Sequence, residues 1–582
     1  MIQGGSFLIE PGDPQQVFTP EDFTPEHRMI AQTAADFVEG EVAPHSEELE
    51  EQKPGLMAEL LRKAGELGLL SSDIPEAYGG MELDKVSTTL ITENLVAGGS
   101  FAVAHGAHTG IGTLPIVFFG TEAQKKKYLP NLATGKKIAA YALTEPGAGS
   151  DALAAKTRAV LSSDGKYYIL NGTKQFITNA GMADLFITYA KIDGEKFTAF
   201  IVERDTPGFS TGPEEKKMGI KGSSTRSLIF EDARVPVENV LGEIGRGHVV
   251  AFNILNVGRF KLGAGCVGSS KYALRHAVKY ALERNQFGLP IAKFGLIQQK
   301  IARMAAAIYA AESTAYRTAG LLDTALEGKH EGLDAVKAIE EYAVECSINK
   351  VFASETLDLA ADETLQTFGG YGFTQEYPAE RIYRDARINR IFEGTNEINR
   401  LLIPGTLLRR AQKGQIPLIQ AALGLAREVM GMMPPQPDGT VLGEQKLAVE
   451  MGKKAFLQVA GTAVQKYMDK IDREQEVLGW LADMIIQIFA MESAVLRAEK
   501  ALGRGDESKT ALMLDLARAY VDEAAPQLET AARVILGSIA EGDELRTHLS
   551  VLRKFTRYTP TGIVATQRRI AERILDAGGY PA

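Results

Sequence analysis

Tyr167-Tyr168-Ile169-Leu170-Asn171-Gly172-Thr173-Lys174-Gln175-Phe176-Ile177-Thr178 places aromatic and β-branched residues on either side of an Asn-Gly pair. That pattern reads as two strands, Tyr167–Leu170 and Gln175–Thr178, joined by a tight turn. Two more turn signals, Asp164-Gly165 and Asp193-Gly194, lie on either side of it, and β-rich runs continue at Phe186–Ala190, Phe197–Val202 and Ser227–Phe230. Short strands at this spacing predict a small antiparallel barrel or sandwich over residues 138–242.

Outward from this core, the period of apolar residues changes to that of a helix. Upstream, Thr24-Pro25-Glu26 is a helix start, followed by Ile30, Ala34, Phe37 and Val38. Further helical segments at Leu56–Leu70, Val86–Ala97 and Glu122–Leu132 make residues 1–137 an all-α domain. Downstream, long helices near 249–284, 296–327, 332–368 and 383–411 predict a bundle over 243–411. Residues 412–443 read as a connector, broken at Met433-Pro434-Pro435-Gln436-Pro437-Asp438-Gly439, and 444–582 as a second all-α domain. The fold class is mainly α with a central β domain.

The 582 residues are 45% hydrophobic and 24% charged, which excludes wholesale disorder, and a net charge of −10 argues against nucleic acid as a partner. Two cysteines, Cys266 and Cys346, exclude a disulfide scaffold and a Cys-rich metal site. The segment before Arg28 has no Lys or Arg and lacks the basic start of a secretion signal. The uncharged stretch Asn94–Thr121 holds six glycines, Pro115 and two histidines, the wrong composition for a membrane span. The expected location is cytoplasmic.

Three segments carry candidate chemistry. In YALTEPGAGSD (141–151), Gly147 and Gly149 permit close backbone approach while Thr144 and Ser150 present hydroxyls. This suits an anionic cofactor held by amides, and equally an ordinary Gly-rich connection. In Phe176-Ile177-Thr178-Asn179, Thr178 could donate to a ring nitrogen and Phe176 pack on a ring, although the run is also simply a strand. In RIFEGTNEINR (390–400), Glu393 follows two large apolar residues; desolvation there suits a general base, whereas a lone Glu at a helix boundary is ordinarily solvated. Gly263-Ala264-Gly265-Cys266-Val267-Gly268 matches the dinucleotide pattern but lacks a strand directly before it, so close helix packing is the better account. His105 and His108 lack metal-site spacing, and no metal is expected.

Taken together and in order, YALTEPGAGSD, KQFITN (174–179), ALERNQFG (281–288), QTFGGYGF (366–373) and IFEGTNEINR (391–400) resemble the acyl-CoA dehydrogenase family. The resemblance covers residues 20–411. The segment Pro213–Lys221, the run Ile254–Phe260 and the extra helical region after 412 are similar to the very-long-chain subgroup. It implies a helical domain, a β domain and a four-helix bundle, an FAD cofactor, and oxidation of an acyl-CoA to its trans-2-enoyl product in fatty acid β-oxidation. The α-proton goes to a carboxylate and the β-hydride to the flavin, with electrons passed on to electron-transfer flavoprotein.

By the same resemblance Glu393 is the base, and Gly258 stands where related enzymes carry an alternative one. The Glu393 backbone N–H and a flavin ribityl hydroxyl polarise the thioester carbonyl. Tyr141, Leu143, Thr144, Gly149, Ser150, Phe176, Ile177 and Thr178 surround the flavin. Arg284, Phe287, Gln366, Gly369 and Gly370 reach the cofactor of a neighbouring subunit, which implies a homodimer. Thr395, Asn396 and Glu397 meet the cofactor after the base. Asn256 and Arg259 line the CoA channel, with Ser150, Phe392 and Gly394 touching substrate.

Two departures stand out. Many relatives have Trp at the position of Phe176, and Gly106-Ala107-His108 is small where medium-chain members are bulkier, which implies a deeper, long-chain pocket. The connector Gln415–Met433 is apolar enough for peripheral membrane contact, though packing on the bundle explains it more simply. The rival readings are an acyl-CoA oxidase using oxygen, a non-catalytic assembly scaffold of the same fold, and a nicotinamide dehydrogenase resting on Gly263–Gly268 alone.

Overall fold

The computed structural model describes residues 2–429, 431 and 435–582; Met433 and Pro434 of the predicted breaker lie outside them. The chain forms two compact units: Phe23–Gly268 with Leu322–Glu341, and residues 2–22 with Ser269–Leu321 and Tyr342–Ala582.

In the first unit, Thr24 caps the helix Pro25–Phe37 by accepting from His27 N, while His27 Nδ1 accepts from Thr24 N (3.2 Å each). The sheet comprises β1 (Ala139–Ala142), β2 (Arg158–Leu161), β3 (Tyr167–Thr178), β4 (Leu185–Ile192), β5 (Lys196–Glu203), β6 (Phe209–Glu214), β7 (Thr225–Pro236) and β8 (Val240–Leu241). Its order is β6-β7-β3-β2-β4-β5-β8, with β1 also on β4. The sheet is mixed and not purely antiparallel as expected, because β1 and β2 both run parallel to β4. One continuous core joins helix residues such as Phe37, Leu60, Leu61 and Phe101 to sheet residues such as Phe186, Phe200 and Val202.

The turns at Asp164-Gly165 and Asp193-Gly194 form as predicted, the second with both residues left-handed (φ 55° and 80°). The Asn171-Gly172 turn does not form. β3 runs straight through it, because Asn171 trades side-chain hydrogen bonds with Asp232 on β7 (3.0 and 2.9 Å) and Gly172 sits in a bulge against Thr157. Gly263–Gly268 lies inside the helix Gly247–Glu283, where the missing Cβ of Gly268 makes room for the Glu93 carbonyl.

In the second unit, the bundle helices are Gly295–Leu326, Ala343–Phe368, Pro378–Ala386 and Asn396–Gln412. The helix expected over 383–411 is therefore broken, and Glu393 lies in the break. Among the described residues six helices follow: Leu418–Glu428 within the predicted connector, then Gly443–Tyr467, Gln475–Ala501, Glu507–Ile539, Gly542–Phe555 and Ile563–Ala577. Residues 2–22, which the sequence pattern assigns to the N-terminal domain, pack on this unit instead. Gly5 N donates to Glu345 Oε1 (2.7 Å) and the Phe7 ring lies 4.7 Å from that of Phe489. Ser100–Phe119 and Gln475–Ala501 are long and apolar enough to cross a membrane, yet both are mostly buried within the protein.

Candidate active site

In the first unit, a buried ion pair shapes the YALTEPGAGSD loop. Lys174, fully enclosed on β3, donates to Leu143 O (3.2 Å) and Glu145 Oε1 (2.8 Å). Glu145 also accepts from the backbone N–H groups of Lys156 (2.6 Å) and Thr157 (3.1 Å). Burial opposes its charge, but Lys174 and these donors hold the carboxyl below the usual range. The Glu145–Ala148 turn is thereby fixed, leaving Gly149 and Ser150 exposed beyond it.

Neither Gly147 nor Gly149 needs left-handed freedom, and a Cβ on either would meet nothing within 4 Å. Neither glycine is therefore required by the chain's own packing. Tyr141 and Leu143 are buried and Thr144 half-buried beside them. On β3, a register shift against β7 between Lys174 and Ile177 turns Phe176 left-handed (φ 59°) and leaves its ring 62% exposed. A non-glycine held left-handed to present an aromatic face costs energy, which is expected where a ligand covers it. Ile177 is buried and Thr178 half-buried, so of the three only Phe176 presents an exposed face. Asn256 and Arg259 are both buried, with Arg259 donating to Asn256 Oδ1 (2.9 Å). Of Gly106-Ala107-His108, Gly106 opens onto free space, whereas His108 is turned into the core. Its Nδ1 accepts from Ala139 N, so Nε2 carries the proton and donates to Leu132 O (3.0 Å each). Burial pushes His108 down to about 4, so it is neutral at physiological pH.

In the second unit, Glu393 and Gly394 are consecutive left-handed residues (φ 57° and 80°) in the turn before the helix Asn396–Gln412. Glu393 is half-buried and its Oε2 is shielded from solvent. Phe392 and Gly394 are half-buried beside it. Thr395 caps the helix by accepting from Ile398 N (3.2 Å). Glu397 is exposed, and its own backbone N–H is the main reason its carboxyl lies below the ordinary range. Asn396 is fully buried, and its amide is engaged by Lys350 (2.6 Å), Ser354 and Glu355, which leaves only its backbone for a cofactor. Arg400 grips Glu355 through two hydrogen bonds (2.7 and 2.9 Å) and Asp483 through a third (2.8 Å).

Elsewhere in this unit, Phe287 and Gly288 form a left-handed hairpin turn (φ 53° and 81°) that leaves Phe287 93% exposed. The Arg284 guanidinium lies 5.3 Å from the Tyr371 ring. Gln366, Gly369 and Gly370 are exposed, and a Cβ on either glycine would meet nothing within 4 Å. Sequence reasoning missed Lys174 and Glu145; the one available signal was a pair of charged residues placed inside otherwise apolar motifs. A cavity of about 280 Å³ around Thr440, Arg518 and Arg569 contains none of these residues.

Open glycine cradles and a strained exposed ring fit a large, flat, anionic cofactor, and a shielded carboxylate on its own turn fits a base. Each is a feature that a flavin-dependent oxidoreductase would use. Profiles of the acyl-CoA dehydrogenase N-terminal, middle and C-terminal domains match residues 24–136, 140–233 and 245–408, and a further acyl-CoA dehydrogenase C-terminal domain matches 451–554. The chain belongs to the acyl-CoA dehydrogenase family, whose members are FAD-dependent oxidoreductases. It is 55% identical to a probable acyl-CoA dehydrogenase of Bacillus subtilis, over 99% of this chain and 98% of that one. It is 38% identical to the human very long-chain specific mitochondrial enzyme, over 76% and 70% of the two chains. A crystal structure of an acyl-CoA dehydrogenase complexed with FAD from Bacillus anthracis superposes with a TM-score of 0.98 at 55% identity, covering all of both chains.

Proposed function

We propose that this acyl-CoA dehydrogenase oxidises long-chain fatty acyl-CoA to the trans-2-enoyl-CoA in β-oxidation, with Glu393 as the base. The observation that carries the reading is the Glu393 carboxylate, shielded from solvent on a strained turn inside the motif IFEGTNEINR. Glu393 takes the α-proton, and its backbone N–H helps to polarise the thioester carbonyl. FAD, when bound, accepts the hydride from the β-carbon. Thr144, Gly149, Ser150 and the exposed Phe176 ring hold the flavin, and Asn256 and Arg259 orient the CoA.

Long-chain preference rests on the resemblance and on the lack of a side chain at Gly106, where a Cβ would meet nothing within 4 Å. Each added methylene buried is worth up to about 0.8 kcal/mol. In anaerobic titrations with acyl-CoAs of graded length, palmitoyl-CoA bleaches the flavin more efficiently than butyryl-CoA; the reverse order would remove the long-chain reading. Electron-transfer flavoprotein is the proposed acceptor, and hydrogen peroxide released in air during turnover would point to an oxidase instead.

The homodimer rests on the family resemblance, and the exposed Phe287, Phe373 (85%) and Leu296 (76%) are apolar residues that such an interface would cover. Phe287→Asp is expected to give monomers in light scattering and to lose bound FAD; an intact, FAD-loaded dimer would refute the shared site. The proposed location is cytoplasmic, with peripheral membrane contact through the exposed Ile419 and Leu423 of the helix Leu418–Glu428.

A further inference from the structure

We propose that Asn399 is a positioning residue for the base: its side-chain amide fixes the turn that aims the Glu393 carboxylate. This deepens, and rests on, the reading of Glu393 as the base. Asn399 is fully buried in the first turn of the helix Asn396–Gln412. Its Nδ2 donates to Gly394 O (2.9 Å) and to Thr395 O (3.0 Å), the carbonyls of the two residues that follow Glu393. Both near groups are acceptors, so the nitrogen must face them. The Asn399 backbone N–H also donates to Thr395 O (3.0 Å), so side chain and main chain hold the same peptide.

The turn needs this restraint. Two consecutive left-handed residues, the first a glutamate, are disfavoured in an unrestrained chain. A relaxed turn would swing the carboxylate off its line to the α-proton. Asparagine is also a poor choice here for stability alone. It disfavours helix interiors, and its Oδ1 is buried with no hydrogen-bond partner among the described residues. Asn396, three residues earlier, gives the contrast: its amide is spent on Lys350, Ser354 and Glu355.

The test compares FAD-loaded, full-length Asn399→Leu, Asn399→Asp, Glu393→Gln and the double variant Glu393→Gln/Asn399→Leu. Leucine keeps the volume without donors, and aspartate keeps the shape but turns an oxygen toward both carbonyls. Flavin reduction by saturating acyl-CoA, expressed per bound FAD, should fall about 10- to 100-fold in both Asn399 variants, as expected when a catalytic group is slightly misplaced. The spectral shift on binding trans-2-hexadecenoyl-CoA should keep its midpoint within about twofold of wild type, because most of the product's contacts, those of its CoA and acyl chain, lie outside this turn. The double variant should be no slower than Glu393→Gln, since an absent carboxylate has nothing left to aim. Normal reduction rates in the Asn399 variants, earlier melting without slower chemistry, or failure of both to load FAD would make Asn399 a packing residue and overturn the proposal while Glu393 stands. Normal turnover in Glu393→Gln would overturn the base assignment itself.

Discussion

Glu393→Gln is expected to keep the bound yellow cofactor and the fold, and to lose about 10²- to 10⁴-fold in turnover, ~3–5 kcal/mol of transition-state stabilisation. Glutamine has nearly the same shape, so the turn keeps its conformation and the backbone N–H at 393 stays where it polarises the carbonyl. What disappears is the anionic oxygen that receives the α-proton. No substitute stands ready at the position where related enzymes carry one, because Gly258 has no side chain. The loss should fall on the rate of flavin bleaching at saturating acyl-CoA rather than on substrate affinity, since the neutral amide still fills the same space. Stopped-flow reduction monitored at the flavin band measures this directly. Turnover within a few-fold of wild type would move the base to another residue.

Much of this site is legible in the sequence, and the exceptions have physical causes. The motifs coincide with unusual local structure: open glycines at 147 and 149, an exposed left-handed aromatic at 176, and a left-handed Glu-Gly pair at 393–394. Local reading fails where a distant partner overrides it. Asn171-Gly172 has the composition of a turn, but Asp232, 61 residues away, captures Asn171 and keeps β3 extended. The helical period through 383–411 conceals the break at Glu393, because the apolar residues on either side keep helical spacing across the turn. Residues 2–22 carry no pattern naming their partners, which are 340 residues away for Gly5 and 476 for Glu21. Asn399 has the local pattern of any polar helix residue, and its amide meets Gly394 and Thr395 only once the turn before it is folded.

Arg497→Met is expected to destabilise the protein by about 3–5 kcal/mol. Arg497 is fully buried, with its guanidinium 4.6 Å from the Tyr309 ring. It donates to Glu21 through Nε and Nη2 (3.0 and 2.8 Å) and to Glu312 through Nη1 (2.5 Å). Glu312 is further held by Lys271 and by the Tyr580 hydroxyl (2.8 Å). One side chain therefore ties the N-terminal segment, a bundle helix and the last residues of the sequence together. Methionine fills the space but leaves two buried carboxylates with too little positive charge, a deficit larger than that of any exposed ion pair. A fall in Tm of about 5 °C or more is expected; an unchanged Tm would mean the network is dispensable. The pH dependence gives an independent check. Burial opposes the Glu312 charge, yet Lys271 and Arg497 hold its carboxyl down to about 2, so the paired form stabilises the protein above the unfolded value of 4.5 and is lost as pH falls toward 2. In the variant that carboxyl titrates nearer its unfolded value, so the gap in stability between wild type and Arg497→Met should narrow as pH drops from about 5 to 3. A gap that stays constant across this range would trace the loss to packing around Tyr309 rather than to the charges.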